Sequence, residues 1–445
     1  MIQFRNDFYA DIRIEDRETT RISYKAGGLE EMKNRAEKQA FLRVYDGKLW
    51  YYASVTDVEH LQETLDGLYA AATPNPAIWE DPIVRRFEKN RDSLLQFKDC
   101  SVRDISLEKK QELLLSYLPL LNEEACVKLP RGNYLDRSSL FTFLSSLGAD
   151  IQYDYQTCGL AFGFDMAEGE KKFSGSWQKG GTRFEEMFGL EAEIRSAVQE
   201  QADFVRLSVP VEPGKYPVVL SPEAAGVFAH ESFGHKSEAD LMISDETMQE
   251  EWQLGKSVGS PILSIADWGD VPGAGYVPYD DEGTKARKNY LIKDGKLAGR
   301  LHSAMTAAAL EEEVTGNARA VSCDFEPIVR MTTTYIEGGE LSFEELIAPI
   351  KKGYFIKTIS HGSGMSTFTI APSVAYEIQE GGLGWPVQIS VISGSVFETL
   401  GLIDGLSREV EFLSFVTGGC GKMEQNPLPV GFGGPYVRVS EMNVQ

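Results

Sequence analysis

Of the 42 glycines in this 445-residue chain, 26 lie after residue 250. Glycine takes positive φ at no steric cost, so a region this rich in it is expected to consist of short strands and tight turns, not long helices. Asp294-Gly295, between Asn289–Lys293 and Lys296–Ala298, reads as a hairpin turn. Ser342 with Glu345 forms a capping box for a helix that Gly353 is expected to end, with Pro349 as a conflict inside it. The first half has a different pattern. Asp46-Gly47 joins two extended runs, and Thr56 with Glu59 caps a helix whose Val58, Leu61, Leu65 and Leu68 recur at helical spacing. A second helix is predicted from Leu107 to about Leu121, and a third from Glu191 to Phe204. Between them, Cys126 to Phe173 alternates apolar and polar residues as a β-meander does. Proline-rich breaks at residues 73–82 and 210–217 divide the chain into segments 1–75, 83–209 and 216–445. The expected fold class is α+β: N-terminal α/β-layered units with antiparallel sheets, then a strand-rich C-terminal domain.

A formal charge of -23 removes the basic footprint that binding to duplex DNA requires. Nowhere do about 18 consecutive apolar residues occur, and the N-terminus has no basic head followed by an apolar run, so no membrane partner is expected. Cys100, Cys126, Cys158, Cys323 and Cys420 are odd in number and far apart, which fits reduced thiols in a cytoplasm.

Val218-Val219-Leu220 reads as a strand, and Ser221-Pro222-Glu223 as a helix start: an N-cap serine, proline at the first helical position, and an acid at the positive end of the dipole. The helix leads into His230-Glu231-Ser232-Phe233-Gly234-His235. Histidines five apart on a regular helix are rotated by about 140°, so they share a metal ion only if the helix widens into a π-bulge or breaks, and Gly234 is the expected place. Two imidazoles are too few for a metal site. Cys420, between glycines and near Lys422, is the best third candidate because the lysine would lower its thiol pKa; a buried spectator thiol is the other reading. Among the remaining histidines, His60 reads as a surface residue and His302 as part of a helix cap. His361, in a predicted loop between small residues, reads as a candidate oxyanion donor. Glu238 and Asp240 could orient the imidazoles, although solvent-facing carboxylates are the more frequent case. Asp280-Asp281-Glu282 reads as a turn in preference to a cation site.

Four segments together resemble the TldD/PmbA proteins, also called modulators of DNA gyrase: His230 to His235, Pro278 to Gly283, Thr315 to Arg319, and Gly419-Cys420-Gly421-Lys422 leading to Gln425. The resemblance spans nearly the whole chain. It implies a C-terminal metallopeptidase domain in which His230, His235 and Cys420 hold Zn²⁺. It also implies the TldD-like branch, since the PmbA-like (TldE) branch lacks these ligands and serves as partner. Met423-Glu424 and the short end after Val439 depart from the family pattern. Two imidazoles and a thiolate leave zinc an open position for water, and Glu231 is then placed as the general base that deprotonates it. The resulting expectation is an endopeptidase acting on unfolded or extended polypeptides, as a homodimer or a heterodimer with a PmbA/TldE-like subunit. The alternative is an inactive binding subunit of such a heterodimer, a role in which Glu231 would have no use.

Overall fold

The structure is a computed structural model and describes residues 2–243 and 245–445. Its first half is one seven-stranded sheet made of β1 (Tyr9–Lys25), β2 (Gly28–Tyr45), β3 (Trp50–Val55), β4 (Arg91–Leu94), β5 (Val127–Ser145), β6 (Asp150–Glu168) and β7 (Lys171–Gly181). The order is β3-β2-β1-β5-β6-β4, with β7 also pairing β6. Residues 126–173 form the antiparallel meander that their alternation predicts, with Gly148 and Gly169 at positive φ in its turns. Strands from both sides of the proline-rich segment join here, because β1 pairs β5 from Asp11–Ser145 to Lys25–Arg131.

The two-residue period puts Leu160, Phe162, Phe164 and Met166 of β6 on one buried face. Against it pack α2 (Leu107–Tyr117), capped by Ser106, whose side chain accepts from the Lys109 N–H, and α3 (Glu191–Leu207), which buries Ile194, Val198, Ala202 and Val205 at helical spacing. α1 (Leu61–Ala71) covers the other end of the sheet through Leu61, Leu65 and Tyr69. It starts later than Thr56 predicts, with His60 at the cap position. The Asp57 carboxylate accepts from the Glu59 N–H and lies 2.7 Å from His60 Nδ1, a local turn that competes with the helix and delays its start.

The second half holds a six-stranded and an eight-stranded sheet, with α4 (Pro222–Ala229) packed between them. The close packing depends on glycine: a Cβ on Gly226 would lie 2.7 Å from the Gly433 nitrogen. Asp294 and Gly295 both have positive φ, as their hairpin requires. Ser342 and Glu345 form the expected capping box, but the helix they start is only Phe343–Ile347. Pro349 lies beyond its end and conflicts with nothing, while Gly353 belongs to the strand Lys352–Gly364.

Buried ion pairs join the halves. Arg43 donates to Asp11 and, at 3.1 Å, to Glu282, and Arg13 lies 2.9 Å from Asp281. The acid trio is thus a turn, with Asp280 Oδ1 accepting from the Glu282 and Thr284 N–H groups and its neighbours facing arginines of the first sheet. All five cysteines are free thiols. No helix among the described residues is long and apolar enough to cross a membrane.

Candidate metal centre

The local sequence explains how α4 begins. The Ser221 hydroxyl accepts from the Ala224 N–H at 3.2 Å, and Pro222 occupies the first helical turn, where its missing donor costs nothing. The Glu223 carboxylate accepts from the Ile359 N–H at 2.9 Å and so ties the helix to the strand Lys352–Gly364. The α-helix stops at Ala229. His230–Gly234 then forms a π turn and His235–Ser237 a 3-10 turn. This irregularity brings the two imidazoles to a ring separation of 5.2 Å. A side chain on Gly234 would overlap the sulfur of fully buried Met331, which lies between the strands Ile328–Val329 and Thr333–Ile336, so the turn depends on a contact from a distant segment as well as on its own residues.

Cys420 opens a small hairpin of Cys420–Lys422 and Gln425–Leu428. Gly418 and Gly419 approach it at positive φ, and a Cβ on Gly419 would come within 2.5 Å of the Leu428 carbonyl. Arg330, fully buried, donates to the carbonyls of Cys420 (2.8 Å) and Gln425 (3.2 Å). Cys420 Sγ lies 3.4 Å from His235 Nε2. One donor atom from each of His230, His235 and Cys420 falls within 4.8 Å of the others. Ligand bonds of about 2.0–2.3 Å in a tetrahedral arrangement put donors about 3.3–3.8 Å apart, so modest side-chain rotation closes this set on one ion. His230 Nδ1 is buried without a hydrogen-bond partner among the described residues.

The electrostatics suit a thiolate. Burial opposes ionisation of Cys420, but hydrogen bonds and charge from His230 and His235 outweigh it and bring the thiol down to about 5. Burial likewise opposes the His235 cation, yet Cys420 and Glu238 raise that group to about 10. Lys422 is not the cause of the thiol's acidity, contrary to the expectation from sequence. Its ammonium donates to Asp240 (2.7 and 2.8 Å) and the Val329 carbonyl (2.9 Å), and it lies 3.1 Å from Glu238. Of the two acids considered as orienting groups, Glu238 faces His235 Nδ1 at 3.3 Å, whereas Asp240 binds Lys422.

Glu231 follows His230 and lines a cavity of about 650 Å³ that His230 and Cys420 also line. Its Cγ would lie 3.6 Å from a Cβ on Gly362, so the strand Lys352–Gly364 passes close over it. His361 sits exposed on that strand and also faces the cavity; it is not in a loop. His60 is exposed. His302 has no capping role: it is buried, with Nε2 2.9 Å from Glu312 and Nδ1 3.1 Å from Thr306, while Ser303 caps the helix Ala304–Leu310. Sequence reasoning missed the opposite cavity wall, which comes from the first sheet through Thr20, Arg21, Leu135, Arg137 and Tyr155. No local pattern marks these positions, since each follows the ordinary alternation of its strand.

Residues 213–445 match the C-terminal domain of PmbA/TldA metallopeptidases, and residues 10–72 match domain 1 of the same group. A metalloprotease of Synechocystis is 34% identical over 99% of this chain and 95% of its own length. A zinc metalloprotease TldD homolog of Saccharolobus solfataricus is 34% identical over 52% of this chain and 52% of its own. Among solved structures, TldE from Thermococcus kodakarensis has the same fold, with a TM-score of 0.79 over 98% of this chain and 96% of that one, at 16% identity. Sequence matches along both halves, together with this common fold, place the chain in the PmbA/TldD family of metallopeptidases.

Proposed function

We propose that the protein is a zinc-dependent endopeptidase acting on unfolded or extended polypeptides, with His230, His235 and Cys420 as the metal ligands and Glu231 as the general base. The observation that carries this reading is the convergence of two imidazoles and an acidic thiol within 4.8 Å at the edge of a cavity that Glu231 also faces. The nitrogen and sulfur donors suit zinc, and the zinc metalloprotease name of the Saccharolobus relative supports that choice of metal. When bound, zinc supplies a Lewis acid that polarises a carbonyl and makes water more acidic.

The chain's own residues supply the remaining parts. The Glu231 carboxylate takes a proton from water at the cavity edge and passes it to the leaving amine nitrogen. Glu238 accepts from His235 Nδ1, which leaves Nε2 directed at Cys420 and sets the tautomer. The cavity lies between the two halves of the molecule, and its volume of about 650 Å³ suits a few residues of extended chain better than a folded surface. A dimeric assembly, with a second copy or with a PmbA/TldE-like subunit, belongs to the same reading; the likeness to TldE is compatible with the second form, and the free thiols are compatible with a cytoplasmic setting.

Elemental analysis combined with cleavage of an unfolded test peptide, alone and with the related subunit, tests this reading. About one zinc per chain and loss of cleavage on chelation are expected. A metal-free protein that cleaves at the same rate would overturn it.

A further inference from the structure

From the contacts of its ammonium group we infer that Lys422 is a positioning residue, which locks the Cys420 hairpin to the carboxylate orienting His235 and so sets the donor atoms before metal arrives. This rests on the metal-site reading above and adds a residue to it.

The two segments that carry the candidate ligands are far apart in sequence and come from different elements, the π turn after α4 and the hairpin Cys420–Leu428. One side chain bridges them. Lys422 stands two residues after Cys420, and its ammonium reaches Asp240 and Glu238, both in the turns that follow His235, as well as the Val329 carbonyl. An ammonium has three protons to give, and these acceptors surround it. Lys422 is nearly buried at 7% side-chain exposure, and Glu238 is fully buried at 0%. Exposed ion pairs of this kind position little, but a buried one is held by the cost of leaving a charge unpaired.

The geometry gives the bridge a direction. Oε2 of Glu238 lies 3.1 Å from the Lys422 ammonium and 3.3 Å from His235 Nδ1, so one oxygen is shared between the lysine and the imidazole. Its other oxygen, Oε1, is buried with no hydrogen-bond partner, so nothing else among the described residues fixes that carboxylate's rotation. Without Lys422 the carboxylate would be free to turn toward other donors, and the imbalance would pass to the ring that faces Cys420 Sγ at 3.4 Å. The hairpin backbone does not depend on this link, because Arg330 holds the Cys420 and Gln425 carbonyls independently. Removing the ammonium should therefore loosen the alignment of the ligands more than it disturbs the hairpin.

The test compares the full-length wild type, Lys422→Met, Glu238→Gln and the double variant by zinc affinity in chelator competition and by the absorption of the cobalt(II)-loaded protein. Each single variant is expected to bind zinc about ten- to a hundredfold more weakly and to give a weaker thiolate-to-cobalt band, and the double variant to lose little more than either single one. Glu238→Gln keeps the volume and an acceptor oxygen but loses the charge Lys422 binds, so it carries the test if Lys422→Met does not fold. Zinc affinity and cobalt spectrum unchanged in a folded single variant, or fully additive losses in the double, would overturn the proposal while leaving the metal site in place. A wild type that binds neither metal would overturn the metal-site reading, and this proposal with it.

Discussion

β5 and β6 stay paired from Val127–Met166 to Leu144–Asp150 with a single irregularity near one end. By contrast, the residues from Pro222 to Leu241 pass through an α-helix, a π turn and two 3-10 turns. The first region repeats one backbone conformation and draws its stability from a continuous buried face. The second changes conformation every few residues, and its irregular turns are held by side chains from elsewhere: Met331 against Gly234, and Lys422 against Glu238 and Asp240. Regular pairing makes a wall. Bringing three donors to one point requires the regularity to break.

The largest expected effect separates the regions by pH. Metal binding must displace the proton that His235 holds up to about pH 10, whereas the Cys420 thiol is already ionised above about pH 5. Zinc affinity should therefore rise about tenfold per pH unit between roughly pH 6 and 9 and flatten above 10, with about one proton released per ion, measured by calorimetry in buffers of different ionisation enthalpy. Affinity independent of pH over that range would contradict the ion pair between these two groups.

Phe162→Ala, in the core of the first sheet, is expected to cost about 3–5 kcal/mol in chemical denaturation and to leave zinc content per folded chain unchanged. Loss of zinc from the folded variant would show that the regions are not separable. Glu231→Gln should do the reverse, lowering peptide cleavage by about a hundredfold or more with zinc content and thermal stability near wild type. A smaller change, about 1–3 kcal/mol, is expected for Gly234→Ala, because its methyl must displace buried Met331. Combining it with Met331→Ala should cost less than the sum of the two, since each relieves the other. Ser221→Ala removes one hydrogen bond at the start of α4 and should cost about 1 kcal/mol.

The same contrast explains what could be read in the amino-acid sequence. Ser221 and Ser342 were identifiable as helix caps because each acts on a backbone group three residues away, and the meander was identifiable because alternation is a local property. Thr56 misled because the competing Asp57 turn satisfies the same composition. The histidine spacing required a break near Gly234, and the helix does change there, but the Met331 contact that accompanies the change lies about a hundred residues on. His302 looked like a cap because its partner Glu312 comes after the whole intervening helix. Lys422 was placed beside the thiol on sequence proximity, although its carboxylate partners precede it by more than 180 residues. Features that depend on one turn of chain were legible, and those that depend on docking between the sheets were not.

The cavity has two sources: His230, Glu231 and Cys420 belong to the C-terminal half, whereas Thr20, Leu135 and Tyr155 belong to the first sheet. Under the proposed function, the candidate metal ligands and part of the wall a substrate would meet are consequently carried on separate stretches of polypeptide. Exchanging β1, β5 and β6 side chains between relatives would reshape the space offered to a guest molecule without changing a single donor atom, so a panel of chimaeras could vary selectivity as an independent dial.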